Sequence, residues 1–179
     1  MKYFKFVIIL ILIVVIFFGA NHLYSSYLKE NPNIRLPIDD INLSASDFAL
    51  NTIDNRTIRL SDYKEKSAVV LNFWASWCPP CEDEMPHFSK LEKEYEQVTF
   101  LMINLTSQEK SKATVEKFLK DNNYSFTNVL LDEFGELSSK YEIYSIPVTI
   151  FIDKQGNIIN KRIGKLDEQT LRIEIENMF

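Results

Sequence analysis

The segment from Ala68 to Cys81, AVVLNFWASWCPPC, constrains this chain more than any other. Ala68 to Trp74 form a continuous apolar run, broken only by Asn72, with the length of a strand buried on both faces. Trp77-Cys78-Pro79-Pro80-Cys81 follow, and then Met85, Phe88, Leu91 and Tyr95, spaced three and four apart like one face of a helix over residues 79–97. A buried strand feeding a helix through two cysteines implies a sheet covered by helices, with both sulfurs at the strand's end.

Cys78 and Cys81 are the two cysteines of the 179-residue chain. A bridge between them closes too small a loop to constrain the unfolded chain much, so their use is chemical rather than structural. The reactive form of such a group is the thiolate, which a helix N-terminus stabilises through its unpaired N–H groups and macrodipole. Cys78 opens the helix. Pro79 and Pro80 lack N–H groups, which early helical positions tolerate. Cys81 lies one turn on, on the same side, placed to resolve a mixed disulfide formed at Cys78. Zinc is not expected, because it takes four ligands and His22 and His87 offer no clear partner pair. No cofactor is expected beyond the redox-active Cys78–Cys81 pair itself.

The rest of the chain reads as one α/β domain over residues 43–179. Phe48–Ile53 and Thr57–Leu60 flank Asp54-Asn55 as a hairpin. Val98–Leu105 and Val129–Leu131 are strands separated by a helix that contains Val115, Phe118 and Leu119. A helix with Leu137 and Tyr141 follows. Val148–Ile152 and Ile158–Ile163 pair through Lys154-Gln155-Gly156-Asn157, and a last helix runs from Asp167. Alternating strands and helices imply a parallel core sheet, and the late hairpin makes it mixed.

The N-terminal part differs. Phe6–Ala20 is an uncharged apolar run preceded by Lys2 and Lys5. At about 1.5 Å per residue it falls short of the roughly 30 Å hydrocarbon core, and flanking aromatic residues extend it. Residues 1–22 are expected to be an uncleaved transmembrane helix, contacting the membrane through residues 3–20 with the N-terminus cytoplasmic. A cleaved signal peptide is the alternative, although Phe18-Gly19-Ala20 is a poor cleavage site. Residues 23–42, with Asn31-Pro32 and Leu36-Pro37, read as a linker. Without Lys2, Lys5, Lys29 and Glu30 the remainder carries 17 basic and 24 acidic residues, so a nucleic-acid partner is excluded.

LNFWASWCPPC resembles the active-site strand and motif of thioredoxins. With DFAL…TIRLSDYK, the Glu-Met-Pro after Cys81, SIPVTIFID and the apolar N-terminus, the chain is similar to the membrane-anchored TlpA/ResA branch from about Ser44 to Phe179. Peroxiredoxins share part of this fold, but WCPPC is not their cysteine motif. The resemblance implies a thioredoxin fold with an N-terminal hairpin extension. It implies a dithiol/disulfide cycle outside the cytoplasmic membrane of a bacterium, reducing client proteins with electrons from a membrane-embedded thiol donor. One client class of the branch is apocytochrome c; other members act in spore-envelope formation.

The resemblance also marks residues. Glu84 matches a glutamate that tunes the thiols and moves protons in this branch. Asn72 stands where thioredoxins carry a buried Asp, and Asn takes up no proton, which leaves Glu84 as the expected acceptor. Ile146-Pro147 is expected to be cis and to face the cysteines. Trp77, Pro79, Pro80, Ile146 and Pro147 are the expected client-binding residues. A disulfide-forming oxidase and a non-catalytic holdase remain as alternatives; intact Cys78, Cys81 and Pro147 weigh against the second.

Overall fold

The computed structural model describes residues 44–179 and the single residue Gly19. The expected transmembrane segment in residues 1–22 and linker in residues 23–42 otherwise lie outside the described residues. Among the described residues no helix is long and apolar enough to cross a membrane.

The elements run β1 (Ala49–Asn51), β2 (Thr57–Arg59), β3 (Ala68–Trp74), α1 (Pro79–Glu94), β4 (Val98–Asn104), α2 (Lys112–Asp121), β5 (Val129–Leu131), α3 (Glu136–Lys140), β6 (Val148–Ile152), β7 (Ile158–Ile163) and α4 (Glu168–Glu176). Five strands form one sheet in the order β5-β4-β3-β6-β7. β3, β4 and β5 are parallel, whereas β6 and β7 run antiparallel to their neighbours. β3 sits in the centre with all seven residues buried, as its apolar run requires.

β1 and β2 form a separate antiparallel pair with Leu50 opposite Ile58. Both strands are shorter than the hydrophobic pattern implied. Thr52 leaves the pair to bridge Leu130, and the Ile53 N–H donates to the Val129 carbonyl at 2.8 Å. On the other side, Leu60 opens a 3-10 turn over Leu60–Tyr63.

Two apolar layers flank the sheet. On one side Val70, Trp74, Phe100, Met102 and Phe151 meet Met85, Phe88 and Leu91 of α1, Val115 of α2, and Leu171 and Ile175 of α4. On the other, Leu71, Phe73, Leu101 and Ile103 meet Phe48, Ile58 and Leu60 from the hairpin region and Leu137 and Tyr141 at α3. Burying each large side chain stabilises the fold by roughly 1.5–3 kcal/mol.

α1 stops at Glu94 rather than near residue 97, with the Tyr95 N–H closing on Leu91 as the cap. The charged residues along its second half are not simply a solvated face. Lys90 pairs with Glu168 at 2.7 Å and Glu94 with Arg172 at 2.8 Å, tying α1 to α4. Glu92 accepts from the Thr127 N–H at 3.1 Å, and its burial raises its pKa.

The termini of the helices follow local chemistry. The Asp167 carboxylate accepts from the Thr170 N–H at 2.7 Å and caps α4, and Ser111 caps α2 through the Thr114 N–H. α3 begins after Gly135 at φ 69°, and the N–H groups of its second and third residues, Leu137 and Ser138, donate to the Asp132 carboxylate. Asp132 directly follows β5, so one carboxylate fixes the strand-to-helix turn.

Candidate functional site

The carboxyl-terminal ends of β3, β4 and β5 and the start of β6 meet at one end of the sheet, and Cys78 and Cys81 lie there. Cys78 is the N-cap of α1, with extended backbone, and Pro79 and Pro80 occupy the first two helical positions. Because neither proline has an N–H, the Cys81 N–H is the first backbone donor the helix offers. It points at Cys78 Sγ, 3.3 Å away. The two cysteines form a disulfide. Cys78 is 5% exposed and Cys81 fully buried, so an incoming sulfur has access to Cys78 first. Pro79 and Pro80 are exposed beside it.

Glu84 lies one turn beyond Cys81 and is fully buried. The carboxylate accepts from Asn72 Nδ2 at 2.8 Å and from the Leu166 N–H at 2.9 Å. Burial pushes its pKa up to about 7, while those two donors and the nearby Lys165 act in the opposite sense. That burial distinguishes Glu84 from an exposed acid that merely complements the helix dipole. Glu82 and Asp83 do lie on the exposed side, and Asp83 is paired with Lys165 at 3.0 Å. The three carboxylates that follow Cys81 thus differ in environment. One of the three is buried and holds a proton near neutrality, and a second is partly neutralised.

Asn72 is buried in β3. Its Nδ2 also reaches Thr149 Oγ1 at 3.2 Å, and its Oδ1 has no partner among the described residues. An amide cannot act as a base, and here it holds the acid that can. The Ile146–Pro147 peptide is cis. Pro147 is buried and Ile146 is half-buried between the two apolar layers.

Trp77 is 53% exposed, and its indole N–H donates to the Gln108 carbonyl at 3.1 Å. Trp74, by contrast, is buried against Phe118. His87 sits half-buried on α1. Among the described residues, no group of three or more His, Cys, Asp or Glu side chains could hold a metal ion.

Sequence reasoning missed part of this site. Glu109, in the loop after β4, accepts from the Ser76 N–H and Oγ, both at 2.7 Å, and from Asn104 Nδ2 at 3.0 Å. It thereby ties the loop that carries Trp77 to the end of β4. It also missed Leu166 and Lys165, which reach α1 from the loop before α4. A signal for Glu109 was available in the topology, because loops that follow neighbouring parallel strands converge at one end of the sheet.

This arrangement can cycle between a disulfide and a dithiol. One sulfur is presented at a helix N-terminus, the other is shielded, and a carboxyl able to exchange protons near neutral pH is one turn away. Comparison with known proteins agrees. Residues 41–161 match the AhpC/TSA family. Thioredoxin-like protein YneN of Bacillus subtilis is 32% identical over 168 residues, 93% of this chain and 94% of that protein. Thiol-disulfide oxidoreductase ResA of Bacillus thuringiensis is 32% identical over 168 residues, 94% of this chain and 91% of that protein. The crystal structure of StoA from Bacillus subtilis superposes with a TM-score of 0.64 at 30% identity, covering 72% of this chain and 96% of that one. The chain thus belongs to the thioredoxin-like AhpC/TSA family, and within it is a thiol-disulfide oxidoreductase of the ResA and StoA type.

Proposed function

We propose that the protein reduces disulfides of client proteins outside the cytoplasmic membrane, held there by the apolar segment in residues 1–22. The observation that carries this reading is the buried Glu84 carboxyl, one turn from Cys81 and titrating near neutrality. The Cys78 thiolate attacks one sulfur of a client disulfide. A Cys78–client bond forms, the client S–S bond breaks, and the released client sulfur takes a proton. Cys81 then gives its proton to Glu84 and attacks Cys78 Sγ, and the second client sulfur leaves as a thiolate that is protonated in turn. The client gains two electrons and two protons, and the protein is left as the Cys78–Cys81 disulfide. A membrane-embedded thiol donor restores the dithiol. Trp77, Pro79 and Pro80 form the exposed client-facing rim, and a client reaches Ile146 and the buried Pro147 behind it through their backbone. Client cysteine pairs such as the Cys-x-x-Cys-His of apocytochrome c fit this chemistry, as do envelope proteins assembled during sporulation.

The direction follows from electrostatics. A thiolate strongly stabilised at the helix start makes a disulfide oxidising. Here two donors are removed by Pro79 and Pro80, and a buried carboxyl near Cys81 opposes a second negative charge. We expect a potential near about −250 mV rather than the roughly −120 mV of a strong oxidant. Equilibrating the purified protein with dithiothreitol or glutathione buffers measures it. A value above about −180 mV rejects the reductase reading in favour of the disulfide-forming one. Glu84→Gln is expected to lower the apparent thiol pKa, read from thiolate absorbance against pH; an unchanged curve removes Glu84 from the proton step.

A further inference from the structure

Three consecutive residues between β7 and α4 each touch a different part of the site. The Gly164 N–H donates to the Pro147 carbonyl at 2.8 Å. Lys165 Nζ lies 3.0 Å from Asp83 Oδ2. The Leu166 N–H donates to Glu84 Oε2 at 2.9 Å. The loop therefore spans from the proline segment at the start of β6 to the first turns of α1. Its geometry depends on a left-handed residue, since Gly164 has φ 93°. An added Cβ there meets nothing within 4 Å among the described residues, so the position demands glycine for its backbone conformation and not for space.

We propose that Gly164-Lys165-Leu166 is a positioning strap for the exchange reaction, coupling the seating of a client at Pro147 to proton uptake at Glu84, with Lys165 and Asp83 as its electrostatic control. The inference rests on the reading of Glu84 as the proton acceptor. The groups around Glu84 leave few other candidates for this control. β3 presents the neutral amide of Asn72, and β6 presents the hydroxyl of Thr149 behind it. α1 itself contributes Cys81 and, on the exposed side, Asp83. At the start of α4, Asp167 is engaged with the Thr170 N–H and feels His87. Lys165 acts on Glu84 as a cation and is itself paired with Asp83 at 3.0 Å. Both side chains are at least half exposed, so the influence is modest and is set by charge rather than by packing.

The two charges make opposite predictions. Lys165→Met removes the cation and makes Glu84 a weaker acid. Asp83→Asn removes an anion and frees Lys165, making Glu84 a stronger acid. The assay is turnover of a peptide cyclised by a Cys-x-x-Cys disulfide, driven by dithiothreitol, with the full-length protein across a pH range. The midpoint of the limb governed by Glu84 is expected to rise by about half a unit in Lys165→Met and to fall by a similar amount in Asp83→Asn. Lys165→Arg is expected to restore it. If the ion pair were merely structural, breaking it from either side would act alike, and midpoints that move together or not at all overturn the proposal. Gly164→Ala is expected to raise KM for the peptide several-fold and to raise the midpoint too. A KM that changes while the midpoint stays fixed overturns the coupling. If Gly164→Ala fails to fold, the two charge variants, on exposed side chains, still decide. Glu84→Gln separates the two readings. It removes the limb if Glu84 is the proton acceptor, and a limb that survives it rejects the proposed function itself rather than the strap alone.

Discussion

Cys81→Ser protein is expected to accumulate covalently bound to its clients, whereas Cys78→Ser protein is not, and both are expected to lose turnover by at least about three orders of magnitude. The asymmetry comes from position on one helix turn. Cys78 caps α1, receives the Cys81 N–H, and keeps a small opening to solvent, while Cys81 is sealed beneath it. Attack on a client is therefore expected to start at Cys78. With Ser at position 81 the mixed disulfide forms but nothing resolves it. With Ser at position 78 the remaining thiol is buried, and reaching it would require a client sulfur to enter the core. Non-reducing electrophoresis of cell extracts reads the outcome directly as a ladder of reductant-sensitive adducts. Equal trapping by the two variants would assign attack to both sulfurs and contradict the geometry of the cap.

The second large effect concerns stability. Glu84 binds its proton more tightly in the folded protein than in the unfolded chain, because burial raises its pKa from 4.5 to about 7. For a raised acid, the stabilising contribution is complete below the unfolded value and is lost as pH rises through the folded one. The window therefore runs from 4.5 to about 7. At about 1.4 kcal/mol per unit, the oxidised protein should lose about 3 kcal/mol across it from this one group. Glu84→Gln removes the dependence. The variant also changes the hydrogen bonds to Asn72 and Leu166, an effect that is the same at every pH. The informative quantity is thus the change in stability between about pH 4 and about pH 8, compared between the two proteins by urea unfolding. Wild type should fall by about 3 kcal/mol more than the variant. Parallel pH profiles would mean that Glu84 titrates alike in the folded and unfolded states, so that its burial does not shift it.

The parts of the site that could be read from sequence are those written in contiguous residues. Ala68 to Cys81 specify a central strand, a turn and a capped helix by apolar run, prolines and spacing, and the structure places all three. Glu84 was marked by the family resemblance, but its burial was not legible. That depends on Leu166, 82 positions later, and on Asn72 across the sheet. The same holds for Glu109, which meets Ser76 only because β3 and β4 are parallel neighbours. The local field beyond Cys81 is likewise not legible in Glu82, Asp83 and Glu84 as a run of charges, since burial alters one and a cation from a distant loop pairs with another. Element ends were misplaced where a competing contact takes over, as when Thr52 leaves β1 for Leu130.

That departure of Thr52 matters for more than the length of a strand. β5 is the outermost strand on its side of the sheet, and such a strand offers unpaired backbone groups to any other extended chain. An oxidoreductase that must approach the backbone of other polypeptides is exposed to this hazard. With the Ile53 N–H on the Val129 carbonyl and Thr52 bridged to Leu130, the end of the hairpin occupies the margin of β5 before a client can. At the opposite margin β7 carries Lys161 and Arg162 and joins β6 through an irregular register, both of which discourage further pairing. The sheet is thus closed to lateral growth at both margins, and an incoming polypeptide is left the end of the sheet where Cys78 waits.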